Sequence, residues 1–285
     1  MDPVRATRYV TPLREGGSLP GLMEADDLGM YVVKLRGAGQ GLKALVAEVI
    51  CAVLADGVGL ATPRWVPVEV PVEMAAAEPD PEVQHLLRTS AGLNLGIDFL
   101  PGALDVGPMP AVDPVLAGRI IWLDALIVNM DRSWRNPNML LWHRELYLID
   151  HGAALPFHHA WAPGRGDQVD RFAARAYQVA DHAVLECQPD VLGADDQMAG
   201  VDWVGLVDEA VASVPAEWLD RAFAGPADVR AAYGEYLLAR LAARPTWVAA
   251  LAEAVARGPD RDERGHRAPT RASRRPDWIT GPEAK

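Results

Sequence analysis

Short apolar runs separated by turn residues fill the first hundred positions. Three such runs alternate with the polar stretches EGGS and ADDLG, which are typical of tight turns, and the pattern predicts a small antiparallel sheet. The predicted strands are Thr7–Leu13, Leu19–Glu24 and Met30–Leu35. The run LKALVAEVICAVLA then places apolar side chains at helical spacing. We therefore predict a helix over Leu42–Ala55 that stops at Gly57 and Gly59.

The next segment continues this β-rich region and leads to a boundary. VPVEVPVEM alternates in polarity and predicts a strand whose prolines favour the edge of a sheet. A proline near the start of EPDPEVQHLLRTS predicts a short helix over Pro81–Arg88. LNLGIDFLPGAL predicts a strand that runs into a connector at Pro101–Gly102. We place the boundary between two lobes here, with residues 1–100 on one side and 101–257 on the other.

The second half of the chain is mainly helical. An apolar run predicts a helix over Pro114–Asn129, and NMLLW and LYLI predict a hairpin around His143–Glu145. Further helical periodicity covers Asp167–Leu185, Trp203–Val214, Pro226–Arg240 and Pro245–Arg257. From Gly258 to Lys285 the composition shifts to Arg, Asp, Pro and Gly, which predicts a flexible tail. The expected class is α+β, with a β-rich N-lobe that has one helix and a mostly α-helical C-lobe.

Composition and charge narrow the classes of function. The 285 residues carry a formal net charge of −12, which argues against a broad contact surface for nucleic acid or an anionic membrane. Only two cysteines occur, Cys51 and Cys187, both in apolar helical contexts that suit a reducing compartment. No signal-peptide profile and no apolar run of roughly 20 residues is present. We therefore expect a cytoplasmic protein without a direct nucleic-acid or membrane partner.

The stretch NMDRSWRNPNMLLWHRELYLIDHG, residues 129–152, carries the candidate chemistry. Asp131 and Asp150 lie at the ends of short apolar runs, where a carboxylate is costly to desolvate unless it is paired or binds a cation. The order D-x-x-x-x-N, hairpin, I-D-x-G fits a protein-kinase-like phosphotransfer site. Asn136 and Asp150 would then bind Mg²⁺ through hard oxygen ligands, and Gly152 would allow a sharp turn after them. Asp131 is the predicted catalytic residue, which orients an attacking hydroxyl.

A cation for the nucleotide phosphates is predicted in the N-terminal lobe. Lys34 lies in the apolar strand MYVVKL, where a buried ammonium needs a partner, and Glu48 on the predicted helix can supply it. The turn EGGS could cover phosphates with backbone N–H groups, because its glycines permit close approach. The predicted nucleotide-binding residues are therefore Lys34, Glu48, Gly16, Gly17 and Ser18.

Two other patterns invite a functional interpretation. The stretch GAGQGLK, residues 37–43, lacks the spacing of a P-loop and of a dinucleotide fingerprint, so we interpret it as a connection between the lysine strand and the helix. His158 and His159 in FHHAW suggest a metal. No further ligands follow at suitable spacing, and a loop role is favoured.

Several candidate residues have simpler interpretations when each is taken alone. Asp131 fits a helix cap or a loop, and Lys34 fits an edge strand that it keeps soluble. Glu48 fits a solvated helix face, Asn138 a turn, and His151 a packing or hydrogen-bonding role. The ordered combination of aspartates, asparagine and glycine favours the kinase interpretation.

An ordered series of short elements resembles the HipA-like kinase family, namely PLREGGSLP, YVVK, GAGQG, the helix with Glu48, NMDRSWRNPN and LIDHGAAL. The resemblance spans roughly residues 7–160 and implies a protein-kinase-like two-lobed fold with ATP- and Mg²⁺-dependent transfer to serine or threonine. It matches Asp131 to the catalytic base, Asn136 and Asp150 to the metal ligands, and Lys34 to the lysine that binds ATP phosphates. Relatives usually carry histidine two residues after the catalytic aspartate, where this chain has Ser133.

The resemblance also defines the expected partners and the competing hypotheses. Besides ATP, we expect a protein or small-molecule hydroxyl acceptor, and a cognate regulatory protein, because HipA-like kinases are often toxins of toxin–antitoxin pairs. Ser133 and a chain shorter than typical HipA toxins leave open a pseudokinase or nucleotide-binding regulatory protein. A small-molecule kinase is the third hypothesis. The acidic composition favours a basic or neutral acceptor over a nucleic acid.

Overall fold

The computed structural model describes residues 2–13, 19–39, 41–107, 111–161, 166–221 and 223–259. The predicted phosphate-covering residues Gly16, Gly17 and Ser18 lie outside the described residues, as does the predicted tail from residue 260 onward. The other candidate site residues all lie within the described ranges.

Five strands near the N-terminus form a closed barrel in the order β1–β2–β3–β5–β4. Their bounds are β1 Val4–Pro12, β2 Gly21–Ala25, β3 Met30–Lys34, β4 Trp65–Val70 and β5 Gly92–Asp98. All pairs are antiparallel except β1 with β4, which run parallel. Alternate strand residues point inward and form a small apolar core, which includes Met23, Tyr31, Val33, Val68 and Val70.

The three predicted strands are confirmed, but β4 is not an edge strand as its prolines suggested. It pairs with β5 along its length and with β1 at Val68 and Glu69. Pro67, which has no N–H, lies just before the two residues that pair with β1. The predicted strand also ends early, because a 3₁₀ turn over Val72–Ala77 follows Pro71.

Two helices accompany the barrel, and the longer one joins it to the rest of the chain. α1 spans Leu42–Gly57 and α2 spans Pro81–Thr89, close to the predicted bounds. α2 begins with Asp80, whose side chain accepts the N–H of Glu82 at 2.9 Å. Most of α1 is buried in the larger of two apolar cores, together with Leu93 and Leu95 of β5 and the later helices. α1 therefore connects the barrel with the helical part.

The C-terminal part is mostly helical and contains one small sheet. The sheet, ordered β6–β7–β8, consists of Leu104–Asp105, Met139–Trp142 and Glu145–Leu148. The helices are α3 Pro114–Ile127, α4 Gly166–Ala173, α5 Val191–Met198, α6 Trp203–Ala212, α7 Pro226–Ala242 and α8 Arg244–Arg257. The predicted hairpin is confirmed, and its two-residue turn has left-handed φ values of 47° at His143 and 69° at Arg144.

The predicted helix over Asp167–Leu185 is wrong beyond Ala173. After α4 the chain runs irregularly to a 3₁₀ turn at Leu185–Cys187. The irregular segment instead contacts the loop after α3, since the hydroxyl of Tyr177 donates to the carbonyl of Asn129 at 2.6 Å. Tertiary hydrogen bonds therefore override the helical propensity of this segment.

A fully buried arginine fixes the end of α3, from which the candidate catalytic loop leaves. Arg240 on α7 donates through Nε and Nη2 to the carbonyls of Ala125 and Leu126 at 2.7–3.1 Å. Its Nη1 donates to the carbonyls of Phe172 and Ala173 at the end of α4. The cation thus satisfies carbonyls that helix ends would otherwise leave without partners.

The cysteines and the helices of the chain have the character expected in a packed globular protein. Cys51 is buried and Cys187 is half-buried, and the two cysteines are not joined by a disulfide. Within the described ranges, no helix combines the length and apolar character needed to cross a bilayer.

Candidate active site

Lys34, at the end of β3, bridges two carboxylates from distant parts of the chain. Its Nζ lies 2.6 Å from Oδ1 of Asp150, just after β8, and it also forms an ion pair with Oε1 of Glu48 on α1. The other oxygen of Glu48 accepts the backbone N–H of His151 at 3.0 Å. Glu48 therefore holds the lysine and the segment that carries Asp150 against each other. Lys34 and Glu48, which were predicted as a pair for phosphate binding, thus meet Asp150, which was predicted as a metal ligand.

The charges in this cluster stabilise one another. Burial alone would lower the pKa of the Lys34 ammonium, but the carboxylates of Glu48 and Asp150 outweigh it and raise that pKa above its ordinary value. Burial also pushes the pKa of Asp150 upward, and the charge of Lys34 reverses this, so the net shift is downward. Burial raises the pKa of Glu48, while Lys34 acts in the opposite direction. The side chain of Asp150 remains 48% exposed, which leaves it open to a second cation.

Gly152 lies in a tight turn, which the N–H of Ala154 closes by donating to the carbonyl of His151 at 2.9 Å. Its φ is not among the positive values, and the residue of this turn with a left-handed backbone is Asp150, with φ 57°. A Cβ at position 152 would lie 3.1 Å from Oε1 of Glu48 and 3.4 Å from Cβ of Ala44. The predicted turn is therefore present, but its backbone does not require glycine; the missing side chain instead allows α1 to approach the Asp150 segment.

Asp131 lies on the loop after α3, where two asparagines hold its carboxylate. The side-chain amides of Asn136 and Asn138 both donate to its Oδ2 at 3.1 Å. Its backbone N–H donates to the side chain of Asn129 at 3.1 Å. Because Asn136 uses its amide nitrogen for Asp131, its amide oxygen remains available for a cation. The predicted catalytic residue and one predicted metal ligand thus lie side by side.

Arg132 connects the two loops that carry the site aspartates. Its Nε donates to Oδ2 of Asp124 on α3 at 2.6 Å, and both side chains are 0% exposed. Its Nη1 donates to the carbonyl of Asn138 at 2.5 Å, within the loop of Asp131. Its Nη2 donates to Nε2 of His151 at 2.9 Å, next to Asp150. One guanidinium therefore sets the position of both loops relative to α3.

Asp124 is the buried anion on which this arrangement rests. Besides Arg132, it accepts hydrogen bonds from Nδ2 of Asn129 and Nε2 of His182, both at 3.0 Å. Burial would raise its pKa, but the charge of Arg132 outweighs it and holds the pKa well below its ordinary value. Burial and the same guanidinium lower the pKa of His151 to about 3, so that imidazole is neutral. His151 therefore has the hydrogen-bonding role expected of it.

Sequence reasoning did not identify Asp124, Asn129, Arg132 or His182 as part of this site. A signal for Asp124 was present, because a lone carboxylate in the apolar run IIWLDALIV must find a partner when the helix is buried. His182 gave no such signal, since it lies 58 residues from Asp124 in a segment that was predicted to be helical.

The oxygen donors present fit a divalent cation of the Mg²⁺ type. The partly exposed carboxylate of Asp150 and the exposed amide of Asn136 are hard oxygen ligands. In the described part of the chain, no three His, Cys, Asp or Glu side chains form a metal-binding group. This is compatible with Mg²⁺ in phosphotransferases, which takes one or two protein carboxylates and completes its shell with water and phosphate oxygens.

The histidines of FHHAW have packing contacts. His158 is buried, with Nδ1 2.9 Å from the Tyr233 hydroxyl and Nε2 3.1 Å from Nε2 of His159. Its backbone carbonyl accepts a hydrogen bond from Nζ of Lys43 near the start of α1. Burial, and then the nearby His159 and Lys43, lower the pKa of His158 to about 3.

Comparison with solved structures shows which fold this is. The chain is similar to the crystal structure of the proinflammatory kinase CtkA of Helicobacter pylori, with a TM-score of 0.53 at 10% sequence identity. The match covers 90% of this chain and 99% of that one. The fold, with its β-rich N-terminal and helical C-terminal parts, is therefore the fold of a kinase.

The sequence comparison is more specific. The family model of the HipA-like kinases matches residues 7–249, so this chain belongs to the HipA-like kinase family and is a kinase. Among curated proteins, no sequence matches the chain. The resemblance seen over residues 7–160 thus extends through most of the C-terminal helices. The family implies ATP, a divalent metal and a hydroxyl acceptor.

We expect Asp124→Asn to destabilise the chain by about 3 kcal/mol, because it leaves the buried charge of Arg132 without its counter-ion. Urea unfolding followed by circular dichroism measures this loss. Asp98→Asn is the matched control, since its carboxylate pairs with Arg64 at 3.2 Å on the surface, where an ion pair is worth at most about 1 kcal/mol. Equal small losses in both variants would contradict the structural importance of Asp124.

We expect the free energy of unfolding to fall as the pH is lowered below 6.5. His158 should contribute to the slope of this free energy against pH. The unfolded chain binds a proton at this imidazole near pH 6.5, whereas the folded chain resists protonation down to about pH 3. Between these values His158→Gln should remove up to about 1.4 kcal/mol per pH unit. Urea unfolding from pH 7 to 4 measures the slope, with His85→Gln on the exposed side of α2 as control. If the free energy of unfolding of His158→Gln depends on pH as steeply as that of the unchanged chain, the proposed contribution of His158 is refuted.

Proposed function

We propose that this kinase transfers the γ-phosphate of Mg²⁺–ATP to a hydroxyl group, on serine or threonine of a protein. The observation that carries the proposal is the contact of Lys34 with both Glu48 and Asp150. A cation fixed by a helix carboxylate beside a candidate metal ligand provides both charges that a nucleotide triphosphate and its metal require.

Each residue has a separate role in this proposal. Lys34 binds phosphate oxygens of the nucleotide, and Glu48 keeps its ammonium in place. Asp150 and Asn136 hold the divalent metal, which supplies neutralisation of the phosphate charge when it is bound. Asp131 orients the acceptor hydroxyl and accepts its proton, which fits its partial exposure beside Asn136. Positioning and charge neutralisation then account for most of the catalysis.

The two-lobed arrangement completes the proposal. Residues 1–100 form the lobe that holds the phosphates, and residues 101–257 form the lobe that holds the metal and the acceptor. Val32 and Ile97 are paired neighbours on β3 and β5, half-buried and on the same side of the strands as Lys34. We propose that they and residues Asp98–Leu104, which include the connector Pro101–Gly102, contact the adenine.

The proposed roles predict different losses for the two aspartates. Asp150→Asn should lose both the stabilisation by Mg²⁺–ATP and the transfer of labelled γ-phosphate, because a metal ligand is removed. Asp131→Asn should keep the stabilisation and lose transfer by roughly 10²–10⁴-fold, as expected for a missing proton acceptor. A thermal shift assay and transfer to proteins of a host lysate measure the two effects.

Asp208→Asn, on the exposed side of α6, is the matched control and should behave as the unchanged chain does. Transfer at the unchanged rate in both site variants would refute the proposed roles. Stabilisation by Mg²⁺–ATP without any transfer by the unchanged chain would favour a nucleotide-binding regulatory protein. Label found only on small molecules would favour a small-molecule kinase.

A further inference from the structure

A two-residue tip stands inside the catalytic loop, between Asp131 and Asn136. The N–H of Ser133 donates to the carbonyl of Asn136 and the N–H of Asn136 donates to the carbonyl of Ser133, both at 3.0 Å. These reciprocal bonds close a tight turn whose tip residues are Trp134 and Arg135. The N–H of Ser133 also lies 2.8 Å from the carbonyl of Asp131. The tip is thus joined rigidly to the candidate catalytic residue.

The tip is anchored through its tryptophan. The backbone N–H of Trp134 donates to the carbonyl of Asp181 at 2.8 Å, and its Nε1–H donates to Oδ1 of the same residue at 3.3 Å. Asp181 belongs to the irregular segment after α4, which contacts this loop through the hydroxyl of Tyr177 and through the β-bridge between His182 and Ser133. The indole ring therefore has a fixed position beside the site.

The guanidinium of Arg135 stacks on the Trp134 ring, and its charge has no acidic partner among the described residues. Its guanidinium carbon lies 4.0 Å from the centroid of the Trp134 ring, a cation–π contact. The residue is exposed, and among the described residues its guanidinium forms no ion pair, although the chain carries a net charge of −12. A stacked guanidinium loses less rotational freedom when it binds a carboxylate through two parallel N–H bonds.

We propose that Arg135 determines acceptor specificity by binding a carboxylate close to the acceptor hydroxyl, in a protein segment with Asp or Glu beside the phosphorylated residue. This inference rests on the proposed function. Consecutive Cα atoms are about 3.8 Å apart, so a side chain next to Asn136 reaches groups within a residue or two of a hydroxyl held at Asp131. The acidic composition of the whole chain favours a basic or neutral acceptor, but the positive charge of Arg135 favours an acidic one at this site.

The test compares serine peptides that carry either Asp and Glu or Lys and Arg at the positions flanking the serine. For each variant the ratio of kcat/KM between the two peptide sets is measured, so that a general loss of activity cancels. We expect a preference of about tenfold for the acidic set, the size of a charge-assisted bidentate bond. Arg135→Glu should abolish or reverse it, and Arg135→Lys should keep part of it.

Arg88→Glu, an identical charge change on the exposed side of α2, is the matched control and should keep the preference. An unchanged ratio in Arg135→Glu overturns the inference, as does a basic preference in the unchanged chain. Binding of Mg²⁺–ATP with no label on any peptide also overturns it and leaves the nucleotide-binding part of the proposed function standing. If the unchanged chain does not bind Mg²⁺–ATP at all, the proposed function itself is refuted.

Discussion

The buried ion pair between Arg132 and Asp124 is the constraint on which the site depends. Two desolvated charges are costly, and they are tolerated here because nearly every polar atom of the pair has a partner. The partners come from the loop of Asp131, from the residue after Asp150 and, with His182, from the segment after α4. Because the pair is anchored on α3, it fixes the positions of the two loops relative to that helix and to each other.

In this arrangement the helices that carry the site are buried and tightly held, while its candidate oxygen ligands are exposed to solvent. α3 is itself held by Arg240, and α1 carries Glu48 from the same core to the barrel strand of Lys34. Two residues with left-handed backbones, Val128 and Asp150, mark where the chain leaves the packed elements. Such a conformation is strained for a β-branched valine and is maintained by the fully buried surroundings of its side chain. By contrast, Asp150 and Asn136 reach solvent, where a ligand can meet them.

The sequence predicted most of the elements and the residues whose chemistry has a local signature. Apolar periodicity located most strands and helices within a few residues, although it did not predict α5, and the order of Asp131, Asn136 and Asp150 indicated the candidate site and the family. It failed where tertiary contacts decide the structure. The segment after Ala173 has helical propensity but is irregular because Tyr177 binds the loop after α3 and His182 binds Asp124 on α3. Gly152 was recognised, but its reason, the approach of α1, depends on an element a hundred residues away.

We propose different tasks for the two aspartates on this common base, Asp150 toward the metal and Asp131 toward the acceptor. The most direct test is a crystal structure of the chain with Mg²⁺ and a non-hydrolysable ATP analogue. We expect Mg²⁺ about 2.1 Å from oxygens of Asp150 and Asn136, with Asp131 outside the coordination shell. A metal bound by Asp131 and not by Asp150 would contradict it.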